Sequence, residues 1–150
     1  MELVIIGVIS PVVTGQVVAL DDWPVHMTLL QWFQYDGDTE ELISGIVSAI
    51  APLVPFTLTV GGERQFSSTV TVNVVEDSKE ITKIHQSLLS VATDLGCQPK
   101  NAQWVGEGFI PHITHYPSGS RQTGEQISVK SYAIAKKISK THREIIFVSS

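Results

Sequence analysis

The sequence predicts an α+β sandwich, with two amphipathic helices laid over a sheet, and three observations carry that reading. Two segments repeat apolar residues at helical spacing, and most of the others are short runs rich in Val, Ile, Thr and aromatics. Each half of the chain also holds a strand, a helix and further strands in turn. That order reads as a faint internal duplication.

The first strand is expected from Leu3 to Ile9, an apolar run with Glu2 ahead of it and Pro11 behind. Glu2 stands where a secretory leader carries positive charge, so the run reads as a strand and not as a signal. Strands at Gln16 to Leu20 and Val25 to Phe33 follow, both favoured by β-branched and aromatic composition. Asp38 opens the first helix: its carboxylate is placed to cap while Glu41 reaches back. Leu42, Ile43, Ile46, Val47 and Ile50 then form one apolar stripe before Pro52 ends it. Strands are expected at Phe56 to Val60 and Val70 to Val75, with Gly61-Gly62 marking a turn. The second helix starts near Asp77 or Ser78 and carries Ile81, Ile84, Leu88, Leu89, Ala92 and Leu95 at helical spacing, with Gly96 as its stop. The last strands are Phe109 to Tyr116, Ile127 to Ile138 and Glu144 to Val148. Ser118-Gly119-Ser120 marks a turn, and the polar, small-residue stretch from Pro117 to Gly124 reads as a mobile loop.

The chain of 150 residues suits one domain spanning 1–150, and 43% apolar with 17% charged residues is the composition of an ordered globular protein. Cys97 is the only cysteine, so no intrachain disulfide forms. It reads as a packed small side chain, and a reducing, cytoplasmic setting is expected. The apolar segment from Leu42 to Val60 is broken by Pro52 and Pro55 and falls short of the ~20 residues a membrane span needs. The net charge of −5 argues against a sequence-independent grip on long nucleic acid. No Lys or Arg precedes Arg64, while Arg121, Lys130, Lys136, Lys137, Lys140 and Arg143 crowd the C-terminal end. That bias reads either as a solvated strand pair or as a patch steering a small anion. No long exposed apolar pattern demands a partner, so a monomer is expected.

Two of the five histidines are followed two positions later by threonine, in His26-Met27-Thr28 and His112-Ile113-Thr114. Counting alone makes this weak. The context strengthens it, because each motif falls in an expected strand just after a proline, in Trp23-Pro24-Val25-His26 and Ile110-Pro111-His112. In a strand, residues i and i+2 share a face, so each motif points an imidazole and a hydroxyl the same way and turns Met27, Leu29 and Ile113 inward. Breaking a phosphodiester needs a base, an acid and donors for the non-bridging oxygens. Two histidines near their ordinary pKa share the first two tasks, one neutral and one protonated. The threonines, with few rotamers, serve as pre-aimed donors. Neither a metal nor a cofactor is called for.

The paired motifs, set in a small α+β chain, resemble the two-histidine phosphoesterase superfamily, which includes the 2′-5′ RNA ligase and RNA cyclic phosphodiesterase proteins. The resemblance implies two pseudo-symmetric lobes around a V-shaped cleft and metal-independent attack on 2′,3′-cyclic or 2′-5′-linked phosphodiesters of nucleotides or RNA ends. It also implies His26, Thr28, His112 and Thr114 as the catalytic positions. The second motif departs from many bacterial ligase-like members, which continue with Leu and then a basic residue where this chain has His115, Tyr116 and Pro117. Bond specificity is what that departure bears on.

Among neighbouring residues, Trp32 shares strand parity with His26, and Tyr116 with His112, so either is placed to stack on a base, with core or rim packing as the alternative. Trp23 and Trp104 are weaker candidates. Arg121 and Lys130 follow the second motif most closely among the basic residues. His112 and His115, three apart, face opposite sides of a strand with no Cys, Asp or Glu nearby, so no metal pair is expected. His85 reads as a packed residue on a helix face and His142 as an exposed turn residue. Beyond cyclic phosphate hydrolysis, two functions compete: degradation of a cyclic oligonucleotide or 2′-5′ oligoadenylate signal, and a nucleotide-binding module without turnover.

Overall fold

Side-chain caps start both helices. In the computed structural model, which describes Met1–Ser150, the Asp38 carboxylate accepts the Glu40 N–H at 2.9 Å to open α1 (Thr39–Ile50). Ser78 accepts the Ile81 N–H at 3.4 Å to open α2 (Lys79–Asp94). Gly96, at φ +81°, closes α2 in a left-handed turn that suits a residue without a Cβ. Each helix buries one stripe, Leu42, Ile46 and Ile50 on α1 and Ile81, Ile84, Leu88 and Ala92 on α2. Full burial of the larger of these side chains contributes about 1.5–3 kcal/mol apiece.

The ten strands are β1 (Glu2–Val8), β2 (Val17–Ala19), β3 (His26–Gln34), β4 (Phe56–Gln65), β5 (Thr71–Val75), β6 (Gln98–Pro99), β7 (His112–Thr114), β8 (Gln126–Val129), β9 (Ser131–Lys137) and β10 (His142–Val148). They hydrogen-bond in the order β2-β10-β9-β1-β3-β7-β5-β4-β8, with β6 appended to β3. Every pairing is antiparallel. Strand alternation divides the apolar residues between two faces. Leu3 and Ile5 of β1, Met27 and Leu29 of β3, and Tyr132 and Ile134 of β9 join both helices in the larger core. Val4, Ile6, Ala133, Ala135 and Ile145 point to the opposite, helix-free face, where Val18 and Trp23 cover them.

Several boundaries differ from the sequence expectation, each for a physical reason. The expected strand from Ile127 to Ile138 breaks at Lys130, the only residue between β8 and β9, although five strands separate the two in hydrogen-bonding order. One kinked run therefore serves both halves of a strongly curled sheet. Gly61-Gly62 is not a turn. β4 runs through it with a register shift between Val60 and Glu63, and a Cβ on Gly61 would lie 2.5 Å from the Val74 carbonyl oxygen. The hairpin turns later, where the Ser67 hydroxyl accepts the Val70 N–H at 3.1 Å. The expected strand from Phe109 shortens to His112–Thr114 because a 3-10 turn (Gly106–Gly108) precedes it. Glu41 makes no return bond at the α1 cap.

Candidate active site

The two histidine motifs meet at the junction of β3 and β7. These strands pair at Met27↔Ile113, both fully buried against the helices. One antiparallel step to either side sets His26 across from Thr114 and Thr28 across from His112, all four on the helix-free face. The quartet is thus crossed, each imidazole lying beside the hydroxyl of the other motif.

Both rings are oriented in the same way. His26 Nδ1 lies 2.8 Å from the Pro24 carbonyl oxygen, and His112 Nδ1 lies 2.7 Å from the Ile110 carbonyl oxygen. A carbonyl only accepts, so each Nδ1 carries the proton and each Nε2 is left as the titrating atom. In both cases the acceptor sits two residues before the histidine, an internal repeat drawn in hydrogen bonds.

Their surroundings differ. His26 is only 9% exposed, tilted against Trp23 (centroids 4.8 Å apart) and stacked on Tyr116 at 5.9 Å. Burial pushes its pKa down to about 4, against the pull of the Pro24 carbonyl, and a charge on His112 would lower it further. His112 is half-buried, and burial also lowers its pKa against the Ile110 carbonyl. Phe66 meets its ring edge-on at 4.7 Å, and a 230 Å³ cavity beside it is lined by Gln31, Phe66, Trp104, Ile110 and His112. Thr28 and Thr114 are half-buried. The Thr28 hydroxyl has no hydrogen bond within the protein. Thr114 stands beside the Tyr116 phenol and partly offsets the rise in phenol pKa that burial causes.

The remaining candidates sort clearly by position. Tyr116 is at the pair, whereas Trp32 packs 5.1 Å beneath the Arg143 guanidinium at the edge of the second apolar cluster. Arg143 is itself buried, donating to the Ser139 and His142 carbonyls while its Nε finds no partner. Arg121 donates to the Ser120 carbonyl and faces Glu125 at 3.9 Å, and Lys130 lines a separate cavity with Val47 and Pro55. Arg64 lies 5.6 Å above the Phe66 ring, which itself meets His112. His115 bonds Asn73, which pairs with Ile113 and so lies on the face away from His112. His85 is buried as expected. Its Nδ1 donates to the Leu29 carbonyl at 2.8 Å, its Nε2 accepts the Gly106 N–H at 2.9 Å, and Phe109 stacks on it at 3.9 Å. His142 opens β10 at an exposed position rather than lying in the turn. The stretch from Pro117 to Gly124 is tied down by Ser118, which donates to the Asp22 carboxylate at 2.8 Å and the Trp23 carbonyl at 3.3 Å.

Residues 16–140 match the sequence pattern of the 2′-5′ RNA ligase superfamily. The chain belongs to that superfamily. Two solved structures share the superfamily member's fold. One is titled "Crystal structure of phosphoesterase", with a TM-score of 0.58 and 18% identity over 99% of this chain and 96% of that one. The other, the TT0787 protein of Thermus thermophilus, has a TM-score of 0.59 and 16% identity, again over 99% and 96%. No curated protein matches the chain. Phe66, Trp104 and Gln31 are the residues at the site that sequence reasoning passes over or ranks low; two lie in loops, where no period announces a face. No helix is long and apolar enough to cross a membrane, and no three His, Cys, Asp or Glu side chains cluster.

Proposed function

We propose that this superfamily member breaks 2′,3′-cyclic or 2′-5′-linked phosphodiesters of nucleotides or RNA ends, with His26 and His112 as the proton-transfer pair. The matched Nδ1–carbonyl bonds carry the reading, because they hold two free Nε2 atoms on one face beside two hydroxyls. The more deeply buried His26 is the neutral base and His112 the acid. For a 2′,3′-cyclic substrate, His26 takes a proton from water as its oxygen attacks phosphorus. His112 gives a proton to the departing ribose oxygen, and a nucleoside monophosphate leaves. The net cost is one water, and a proton returns from His26 to His112 through solvent. Thr28 and Thr114 donate to the non-bridging oxygens, where charge builds in the transition state. The chain acts as one unit on a nucleotide or short oligonucleotide, without a metal.

Because burial lowers both histidines, the state with His26 neutral and His112 protonated is most populated between about pH 4 and the ordinary histidine value of 6.5. A bell-shaped kcat/KM profile with its maximum in that acidic window is expected. The deciding experiment incubates the protein in EDTA with cyclic mononucleotides, 2′-5′ oligoadenylates and cyclic dinucleotides. Turnover of the first group that both His26→Ala and His112→Ala abolish supports the proposal. Turnover of only the cyclic dinucleotides or oligoadenylates moves the substrate to a signalling oligonucleotide. Binding without turnover leaves a nucleotide-binding module, and loss of activity in EDTA removes the metal-free mechanism.

A further inference from the structure

We infer that Phe66, Trp104 and Gln31 form a nucleobase subsite beside His112, which receives the base of a nucleotide flanking the scissile phosphate. The inference rests on the phosphodiester reading of the histidine pair and adds to it where the substrate's base goes. The cavity these residues share with His112 and Ile110 measures 230 Å³, below the ~300 Å³ at which pockets begin to hold whole drug-sized ligands. It suits one fragment of a nucleotide. Its aromatic walls are near-parallel, the Phe66 and Trp104 rings lying 6.4 Å apart and 18° from coplanar. Flat π surfaces of this kind take up bases of any sequence.

Trp104 is 36% exposed, the only aromatic residue among the exposed large apolar side chains. The others, Val13, Val17, Leu20 and Ile138, lie on or near β2 and the β9–β10 turn, on the opposite edge of the sheet. An isolated exposed apolar residue needs no explanation. One that lines a cavity with a reactive imidazole and a second ring does. The loop around Trp104 is built to hold it still. Gly108 packs so closely on the Gln103 carbonyl that a Cβ would sit 1.8 Å from its oxygen, and the Gly106 N–H is fixed on His85 Nε2 at 2.9 Å. Gln31, half-buried at the same cavity, makes no hydrogen bond within the protein, so its amide is free to donate to and accept from a base edge. Arg64 above Phe66 adds a positive charge at the mouth, suited to the phosphate that continues the chain.

The test compares ligands that differ only in the base. Binding of adenosine and uridine 3′-monophosphate, and of the base-free 1-O-methylribose 3-phosphate, is measured by calorimetry for wild type, Phe66→Ala, Trp104→Ala, Trp104→Phe and Gln31→Leu. Both alanine variants should weaken the nucleotides by roughly 5- to 150-fold and leave the base-free phosphate unchanged, since base stacking is lost and phosphate contacts are not. Trp104→Phe should recover most of the loss, and Gln31→Leu should change the adenosine-to-uridine ratio while overall binding of the sugar phosphate holds. Equal weakening of base-free and base-bearing ligands would overturn the subsite, as would unchanged nucleotide binding in both alanine variants. Because binding is read without turnover, a protein that binds bases here but hydrolyses nothing keeps the subsite and loses the proposed reaction.

Discussion

His26 and His112 share one backbone device and differ in almost everything around it. Each donates Nδ1–H to the carbonyl two residues earlier, yet one ring is sealed between Trp23 and Tyr116 and the other opens on a cavity walled by Phe66 and Trp104. The repeated backbone geometry makes two interchangeable imidazoles. The unequal burial then separates them, favouring the neutral form more strongly at His26, which is the difference the proposed division of base and acid uses.

Replacing either histidine is the harshest way to break the comparison. His26→Ala and His112→Ala should each lower kcat by about 10²- to 10⁴-fold in a cyclic phosphate assay, and combining them should cost little more, since neither proton transfer works alone. Thr28→Val and Thr114→Val should each lower kcat by about 10²- to 10³-fold with little change in KM, since in the proposed reaction their hydroxyls serve the transition state. Crossed pairing adds a sharper expectation: Thr114→Val should also disturb the pH limb assigned to His26, its neighbour across the strands, more than that of His112.

Acid stability probes the difference in burial directly. His26 titrates at about 4 when folded and near 6.5 when unfolded, so between those values the unfolded chain binds the extra proton. Stability contributed by the neutral ring is full above pH 6.5, falls as pH drops, and is gone below about 4. The loss is on the order of 3 kcal/mol for His26 alone. His85 and His112, shifted the same way, steepen it. Denaturant midpoints of wild type and His26→Asn, measured from pH 7 to 4, should converge as pH falls; parallel curves would show that burial does not hold His26 neutral. The smallest effect is expected from Tyr116→Ala, which admits water to His26. It should move the acid limb of kcat/KM upward by a fraction of a pH unit and leave His112 unaffected.

The quartet is legible in the sequence because its signal is strand parity, and parity survives small errors in strand ends: β3 begins at His26 rather than Val25, yet Thr28 still shares its face. The helices are legible for the same reason, through Asp38, Ser78 and two unbroken apolar stripes. What does not show is set by tertiary closeness. Gly61-Gly62 carries the composition of a turn, but β4 runs on through it and Gly61 lets the backbone pass the Val74 carbonyl. Trp32 has the right parity yet sits far enough along β3 to pack beneath Arg143. Phe66 and Trp104 occupy a hairpin end and a 3-10 turn, where a side chain's direction depends on contacts 38 positions apart in sequence and on no local period. Lys130 looks like any strand residue, and only the curl of the sheet shows that it separates two partnerships.

The seam between β3 and β7 is narrow, a single register pair at Met27↔Ile113, while β1 zips to β3 and to β9 along most of its length. The histidine–threonine quartet straddles the strand pairing with the fewest register pairs in the sheet. Warming should therefore part the two leaves at this seam while both helices and the β1–β3–β9 ladder remain intact, drawing each imidazole away from its opposite hydroxyl. Turnover of the proposed substrate, followed against helical ellipticity on a thermal ramp, should fade several degrees ahead of the fold.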